Sequence, residues 1–204
     1  LLARRIMKSE GKPSVILSLL SVFVICAIAS LIIFTSYQLT SERIDTNKRM
    51  AKIRIIEEVM PLNYNNSLYK DTIDVAELSA TVYRARLENE FIGLVFMPIV
   101  ATGYNGKINL AIGVNYEGVL TGVRIVEQHE TSGLGDGIDQ NNSEWILDFD
   151  KRSLSNTQTK AWAVMRDGGD FDNLSGATIS PRGVINAVKL TLDYYATHRT
   201  VLYQ

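Results

Sequence analysis

The hydrophobic pattern changes along the chain, and its most apolar stretch lies near the start. No charged side chain occurs between Lys12 and Glu42, and residues 15–37 are uncharged and mostly apolar. A helix of that length measures roughly 34 Å at about 1.5 Å per residue, enough to cross a hydrocarbon core of about 30 Å. The pattern predicts a single transmembrane helix over residues 15–37.

Two other interpretations compete with a membrane anchor. Ala27-Ile28-Ala29 resembles a signal-peptidase site, but the apolar run continues through residues 31–34, too far for a cleaved signal peptide. A buried core helix would need a larger protein, because every side of this helix is apolar. An uncleaved anchor is therefore favoured.

A second helix is predicted in residues 38–62, directly after the apolar stretch. The hydroxyls of Thr40 and Ser41 are suited to cap its start, and apolar residues recur at helical spacing from Ile44 to Val59. Met60-Pro61 ends the pattern, since proline does not continue a helix. We interpret this juxtamembrane helix as a stalk whose apolar stripe packs on the following domain.

From residue 63 onward the pattern becomes that of a sheet. Alternation of apolar and polar residues predicts a strand at residues 80–86, and an apolar run predicts one at residues 92–101. Further strands are predicted at residues 107–116, 119–128 and 160–166. Pro98 in the second run indicates an edge strand or a bulged strand, because proline cannot donate a backbone hydrogen bond. Glu117-Gly118 between the third and fourth runs indicates a hairpin.

The chain closes with a predicted helix over about residues 181–197. Ser180 is a suitable N-cap, and Pro181 suits the first helical position. One apolar face is formed by Val184, Val188, Leu192 and Tyr195. The predicted fold class is α+β: a transmembrane helix, a stalk helix, an antiparallel sheet meander and a packed C-terminal helix, with residues 63–204 as the soluble domain.

The formal net charge of −1 conceals an uneven distribution. Residues 1–12 carry four basic side chains against Glu10, a net charge of +3, so the remainder carries −4. A basic segment before an apolar helix indicates that residues 1–14 are cytoplasmic and that residues 63–204 are extracytoplasmic. Basic residues also follow the span, but a domain of this size can cross regardless of charge. The mildly acidic remainder argues against nucleic acid as a partner.

Cysteine and histidine are scarce. Cys26 is the one cysteine, which excludes a disulfide framework, a thiolate-ligated zinc site and an iron–sulfur cluster held by this chain alone. His129 and His198 are the two histidines. No metal site is predicted.

Two loops carry more glycine, hydroxyl and acidic residues than a connection requires. Residues 129–137 contain three glycines in five positions, which permit a ligand to approach the backbone, although taken alone a mobile surface turn is the better interpretation. Residues 172–180 precede the last helix, whose free N–H groups favour a phosphate. A ligand-free helix start capped by Ser180 explains that loop equally well.

Several short motifs in these loops resemble one known family. Asp172 together with Ser175-Gly176-Ala177-Thr178 resembles the flavinylation motif of the FMN-binding domain family, whose last threonine is the acceptor. Residues 130–135 resemble that family's Glu-Thr-Pro-Gly-Leu-Gly loop, with Ser132 in place of proline. The turn at residues 103–106 also fits. The similarity extends over the anchor and almost all of the soluble domain.

Within this family, the chain looks most like the G subunits of Rnf electron transport complexes, also described as SoxR-reducing complexes. The resemblance implies that Thr178 carries FMN through a phosphoester made by a separate magnesium-dependent FMN transferase. The isoalloxazine ring would lie against the loop at residues 130–135. The implied cofactor-binding residues are Asp172, Ser175, Gly176, Ala177, Thr178, Glu130, Thr131, Gly133, Leu134 and Gly135. No catalytic residue is expected, since the flavin supplies the redox chemistry.

The resemblance further implies an electron-relay component of an ion-motive oxidoreductase complex that links NADH and ferredoxin or other low-potential acceptors. Such a protein would be a redox subunit rather than a stand-alone enzyme, with the other members of the complex and the membrane as partners. It would cross the bacterial inner membrane once, with its flavin domain on the periplasmic side. Three alternatives stay open: a counterpart of the C subunit of a sodium-pumping NADH:quinone reductase, a membrane-anchored flavin sensor, and a ligand-free assembly protein.

Overall fold

The computed structural model describes residues 15–61 and 63–204. The predicted cytoplasmic segment, residues 1–14, lies outside the described residues. The chain divides between Met50 and Ala51 into two compact units, of which the second contains the sheet and the C-terminal helix.

Helix α1 extends over Val15–Val59 and passes without a break through the predicted start of the stalk helix. Its apolar part is long and hydrophobic enough to cross a membrane. The hydroxyls of Thr40 and Ser41 donate to the carbonyls of Ser36 and Gln38, at 2.7 and 3.1 Å, and therefore cap no helix start. The prediction of a separate N-cap near Thr40 is thus wrong. Because residues 38–42 contain neither glycine nor proline, the helix simply propagates through them.

The sheet of the second unit has five antiparallel strands in sequence order. They are β1 (Thr72–Val75), β2 (Ala80–Leu87), β3 (Glu90–Thr102), β4 (Lys107–Asn115) and β5 (Leu120–Glu127). The antiparallel meander is therefore confirmed. Strand β1 was not predicted, because four residues are too few to establish an alternating pattern.

The sheet is covered on both faces, which explains why β3 is almost continuously apolar. Phe96 and Leu94 on one face belong to the larger core beneath the C-terminal helix. Val95 and Met97 on the other face pack in a second core with the end of α1. There the Thr121 hydroxyl donates to the Val59 carbonyl at 2.5 Å.

Pro98 lies in β3, which pairs with both β2 and β4. Strand β3 is therefore not an edge strand. The alternative prediction of a bulged strand is correct, because the register of the β3–β4 pair shifts between Phe96 and Ile99. The irregularity accommodates a residue that has no N–H to donate.

The predicted strand at residues 160–166 is wrong. This region forms two 3₁₀ turns, Thr159–Ala161 and Met165–Asp167. Between them Trp162 is buried, with its ring centroid 6.0 Å from that of Phe171 and 6.5 Å from that of Phe149. Burial of a large aromatic ring in the core, rather than pairing in the sheet, explains the apolar character of this segment.

Helix α2 covers Ile179–Leu202, longer at both ends than predicted. Its apolar face is buried as expected, but Ser180 lies inside the first turn and is not the N-cap. Gly183 contacts the backbone carbonyl of Thr102 so closely that an added Cβ would overlap it. The first turn of α2 is therefore held against the end of β3.

Candidate functional site

Three connecting segments meet at one end of the sheet and form a cavity of about 370 Å³. They are the β3–β4 turn, the loop after β5, and the residues that lead into α2. The lining consists of Tyr104, Glu130, Thr131, Leu134, Gly135, Gly176, Ala177, Thr178, Ile179 and Ser180. This volume lies within the range of about 300–1,000 Å³ typical of ligand pockets.

Glu130 joins the three segments through both oxygens of its carboxylate. Oε1 accepts a hydrogen bond from the backbone N–H of Asn105 at 3.1 Å, and Oε2 accepts one from the Ser180 hydroxyl at 2.7 Å. The Ser180 Oγ in turn accepts one from the backbone N–H of Tyr104 at 3.3 Å. The carboxylate also lies against Gly135, where an added Cβ would come within 2.5 Å of Oε2. Glu130 thereby holds the cavity walls together.

Two further contacts close the loop after β5 onto its neighbours. The Asn105 side-chain amide donates to the Thr131 hydroxyl at 3.0 Å. Leu134 packs on Gly176, where an added Cβ would lie 2.8 Å from Leu134 Cδ2. Gly176 also has a φ of 75°, so that both the backbone conformation and the packing require glycine here.

The segment before α2 makes a tight turn with fixed ends. The N–H of Ala177 donates to the Leu174 carbonyl at 3.1 Å, which closes a turn over Ser175 and Gly176. Upstream, the indole N–H of Trp145 donates to the Asp172 carbonyl at 2.9 Å and ties the segment to the aromatic core. The residue that follows this turn is Thr178.

Thr178 is the N-cap of α2, but its hydroxyl caps nothing. Among the described residues, that hydroxyl has no hydrogen-bond partner, and the side chain is half-buried. Thr178 also lines a second opening of about 600 Å³, which we call the lateral cleft. The other residues of the lateral cleft are Met165, Arg166, Asn173, Leu174, Ser175 and Gly176. The free hydroxyl therefore stands where the cavity and the lateral cleft meet.

An ion pair connects α2 to the preceding 3₁₀ turn. The Arg182 guanidinium donates from two nitrogens to the two oxygens of Asp167, each at 2.6 Å. These hydrogen bonds from Arg182 lower the pKa of the Asp167 carboxyl below its usual value, with a smaller contribution from the charge of Arg166. Asp167 therefore stays ionised at neutral pH and keeps the pair intact.

Most of the predicted cofactor-binding residues meet in one place. Glu130, Thr131, Leu134, Gly135, Gly176, Ala177 and Thr178 line the cavity, and Ser175 lines the lateral cleft. Gly133 and Asp172 line neither: the N–H of Gly133 bonds the Asp136 carboxylate at 2.8 Å, and Asp172 is exposed. In the part of the chain that the structure describes, no group of three acidic, histidine or cysteine side chains is arranged to hold a metal ion.

Sequence reasoning missed three lining residues, Tyr104, Ile179 and Ser180. The turn that contains Tyr104 is visible in the sequence, but it lies about 25 positions before the loop at residues 129–137, so no local pattern indicates their contact. Ser180 is predicted as a helix cap because its residue type suits that role. Its hydrogen bond to Glu130 spans 50 positions, so no local pattern indicates it.

Comparison with known proteins points to the same region. A family model described as the FMN-binding domain matches residues 103–193, which include all three segments of the cavity. The chain is 35% identical over 201 residues to a protein of Pseudoalteromonas atlantica, covering 95% of this chain and 91% of that protein. It is also 35% identical over 199 residues to a protein of Aliivibrio fischeri, covering 94% and 92% respectively. Both relatives are named as the G subunit of an ion-translocating oxidoreductase complex.

Proposed function

Since this chain belongs to the family of G subunits of Rnf-type ion-translocating oxidoreductase complexes and contains an FMN-binding domain, we propose that it relays electrons through FMN attached covalently to Thr178. The observation that carries the attachment is the Thr178 hydroxyl, which has no partner among the described residues and lies at the mouth of the cavity. The general role, electron transfer in a membrane complex, follows from the family. The ester bond and its position are our proposal.

The residues of the cavity fit a flavin. Tyr104, Leu134 and Ile179 line it and are 72%, 47% and 48% exposed, so that a flat aromatic ligand has apolar side chains to cover. Thr131 lies on the same wall and offers a hydroxyl to a polar ring edge. The volume of about 370 Å³ suits a ligand that is only partly enclosed.

The phosphate has a favourable position beside Thr178. An ester at this hydroxyl would lie next to the first turn of α2, whose N–H groups lack partners within the helix. Interaction of one negative charge with such a helix start contributes about 0.3–1 kcal/mol when it is exposed. That free energy is too small to retain a flavin, so a covalent bond is needed to retain one outside the cytoplasm.

The attachment is a phosphoryl transfer that a separate FMN transferase performs. The hydroxyl of threonine is a weak nucleophile and requires activation, which a magnesium ion and a base of that enzyme would supply. The Thr178 Oγ–P bond would form as a P–O bond of the pyrophosphate in a flavin dinucleotide breaks. The nucleoside monophosphate would leave with the electrons of that bond, and the hydroxyl proton would pass to the base. This chain contributes an accessible hydroxyl on a turn of small residues.

When bound, FMN supplies the electron-transfer chemistry, and the protein positions it. Leu134 and Tyr104 would exclude water from parts of the ring, while Glu130 keeps the walls together. No general acid or base of this chain is required. The apolar part of α1 would anchor the domain in the bacterial inner membrane, with residues 63–204 on the periplasmic side.

The attachment is tested by Thr178→Ala in the full chain, expressed in a host that has the transferase. We expect wild-type protein to give a flavin-fluorescent band in a denaturing gel and an intact mass raised by one FMN residue. Thr178→Ala should lose both signals and remain folded. Thr131→Ala is the matched control, since it removes a hydroxyl from the same cavity and should keep the fluorescent band. Fluorescence of the denatured Thr178→Ala protein would show that the acceptor is another residue.

A further inference from the structure

Among the described residues, Arg166 is the one charged side chain that lines the lateral cleft. In the cavity on the other side of Thr178, Glu130 is the one charged residue of the described lining, and both of its oxygens are engaged by Asn105 and Ser180. The guanidinium of Arg166, by contrast, is exposed and has no ion-pair or hydrogen-bond partner within the described part of the chain. The charged side chain that lines the lateral cleft together with Thr178 is therefore positive and makes no hydrogen bond or ion pair within the described residues.

The backbone of Arg166 is fixed relative to Thr178 from three directions. Its N–H donates to the Asn173 side chain at 3.2 Å, in the segment that leads to Thr178. The preceding N–H, of Met165, donates to the Phe171 carbonyl at 2.7 Å. The next residue, Asp167, is held by Arg182 of α2. Because Asp167 is held by Arg182, Arg166 keeps its position beside the cleft, while its own guanidinium makes no hydrogen bond within the described residues.

We infer that Arg166 binds the phosphate of the flavin nucleotide, an assignment that rests on the proposed function. A guanidinium presents its N–H donors in a planar fork that matches phosphate oxygens and can donate two parallel hydrogen bonds. In the attached form it would neutralise the charge of the phosphodiester on Thr178. During attachment it would hold the phosphorus close to the hydroxyl.

The test separates phosphate binding from ring binding. Full-length Thr178→Ala protein in detergent is titrated with FMN and with riboflavin, which has the same ring but no phosphate, and binding is followed by flavin fluorescence anisotropy. Addition of Arg166→Gln should weaken FMN binding about fivefold and leave riboflavin binding unchanged. A fivefold change in affinity is about the largest contribution expected from one exposed ion pair. High salt should reduce this difference, because it screens an exposed pair.

Two further variants serve as controls in the same Thr178→Ala background. Lys160→Gln removes an equal charge from an exposed residue that lines neither opening, and should leave FMN binding unchanged. Arg166→Lys should restore part of the affinity, since it keeps the charge but not the fork.

Equal FMN affinity with and without Arg166→Gln overturns the inference, and so does an equal loss for FMN and riboflavin. Absence of measurable FMN binding to the Thr178→Ala parent also overturns the inference, because Arg166 must bind the phosphate even when no ester bond holds it. The proposed function is judged separately, by covalent flavin on the wild-type chain.

Discussion

At the scale of single residues, Glu130 and Thr178 have opposite situations within the same cavity. The carboxylate of Glu130 accepts hydrogen bonds from two other segments of the chain, whereas the hydroxyl of Thr178 has no partner among the described residues. A side chain with all its partners in place stabilises the walls, and one without partners is available for chemistry. The two residues therefore serve the site differently, although the same resemblance predicted both as cofactor-binding.

The role of Glu130 leads to a prediction about stability. Glu130→Ala leaves the hydroxyl of the buried Ser180 without its acceptor, and an unsatisfied buried donor costs about 1–3 kcal/mol. The exposed Asn105 N–H can bond water instead. We expect the free energy of unfolding of the full chain to fall by about 2 kcal/mol. Urea denaturation in detergent measures it through Trp145 and Trp162, which are buried in the core. His129→Ala, an exposed neighbouring substitution, should change the stability by less than about 0.5 kcal/mol. Equal stability of both variants would contradict this role.

At the scale of elements, the site depends on where α2 begins. The helix starts at Ile179, directly after Thr178, the proposed acceptor, and its first turn is fixed by two contacts. Gly183 allows that turn to contact the Thr102 carbonyl of β3, and Arg182 pairs with Asp167. Thr178 is thus held by the docking of a helix on a sheet, not by its own side chain.

We expect Gly183→Ala to displace the first turn of α2. The new Cβ would overlap the backbone of Thr102, and backbone cannot move aside as a flexible side chain could. Overpacking of this kind costs about 1–3 kcal/mol, which outweighs the better helix propensity of alanine. Gly183→Ala protein should therefore unfold at a lower urea concentration than wild type. It should also give weaker flavin fluorescence in the denaturing gel.

Asn186→Ala is the matched control for that substitution. Asn186 is exposed on the same helix, so that alanine there should maintain or slightly raise stability and leave the flavin signal unchanged. If Gly183→Ala behaved like Asn186→Ala, close contact between α2 and β3 would not determine the position of Thr178.

At the scale of the whole molecule, one apolar helix precedes a domain that has its own core on both faces of the sheet. The apolar part of the helix has exposed side chains throughout, which suits a lipid environment. Basic residues lie on both sides of this stretch. A tethered domain outside the cytoplasm would also explain the covalent attachment of FMN that we propose.

The orientation can be read from a single introduced cysteine. In Lys160→Cys/Cys26→Ala protein, the one thiol lies at an exposed position of the domain, since Cys26 is the chain's natural cysteine. A membrane-impermeant maleimide added to intact spheroplasts should label it, because the domain is proposed to face the periplasm. Wild-type protein should remain unlabelled, because Cys26 lies in the apolar stretch. Labelling only after lysis would place the domain in the cytoplasm.

The candidate site could be predicted in part, and the reason is local. The turn at Ser175-Gly176-Ala177-Thr178 is formed by neighbouring residues, and its small side chains and the hydroxyl of Thr178 are visible in the sequence. The Glu130–Ser180 bond and the Leu134–Gly176 contact join residues more than 40 positions apart. Such contacts exist only once the sheet and α2 have packed, so no local pattern could indicate them.

The sequence alone determined the features that depend on periodicity and chain length: an apolar helix of membrane-spanning length, four of the five strands, and a C-terminal helix with one buried face. Tertiary structure decided the rest. The apolar run at residues 160–166 became two 3₁₀ turns because Trp162 gains more from burial among aromatic rings than from pairing in a sheet. Ser180, whose residue type favours a cap, instead donates to a carboxylate that the fold brings to it. Local pattern sets what a segment can form, and packing selects among those possibilities, because burial and hydrogen-bond satisfaction are properties of the whole chain.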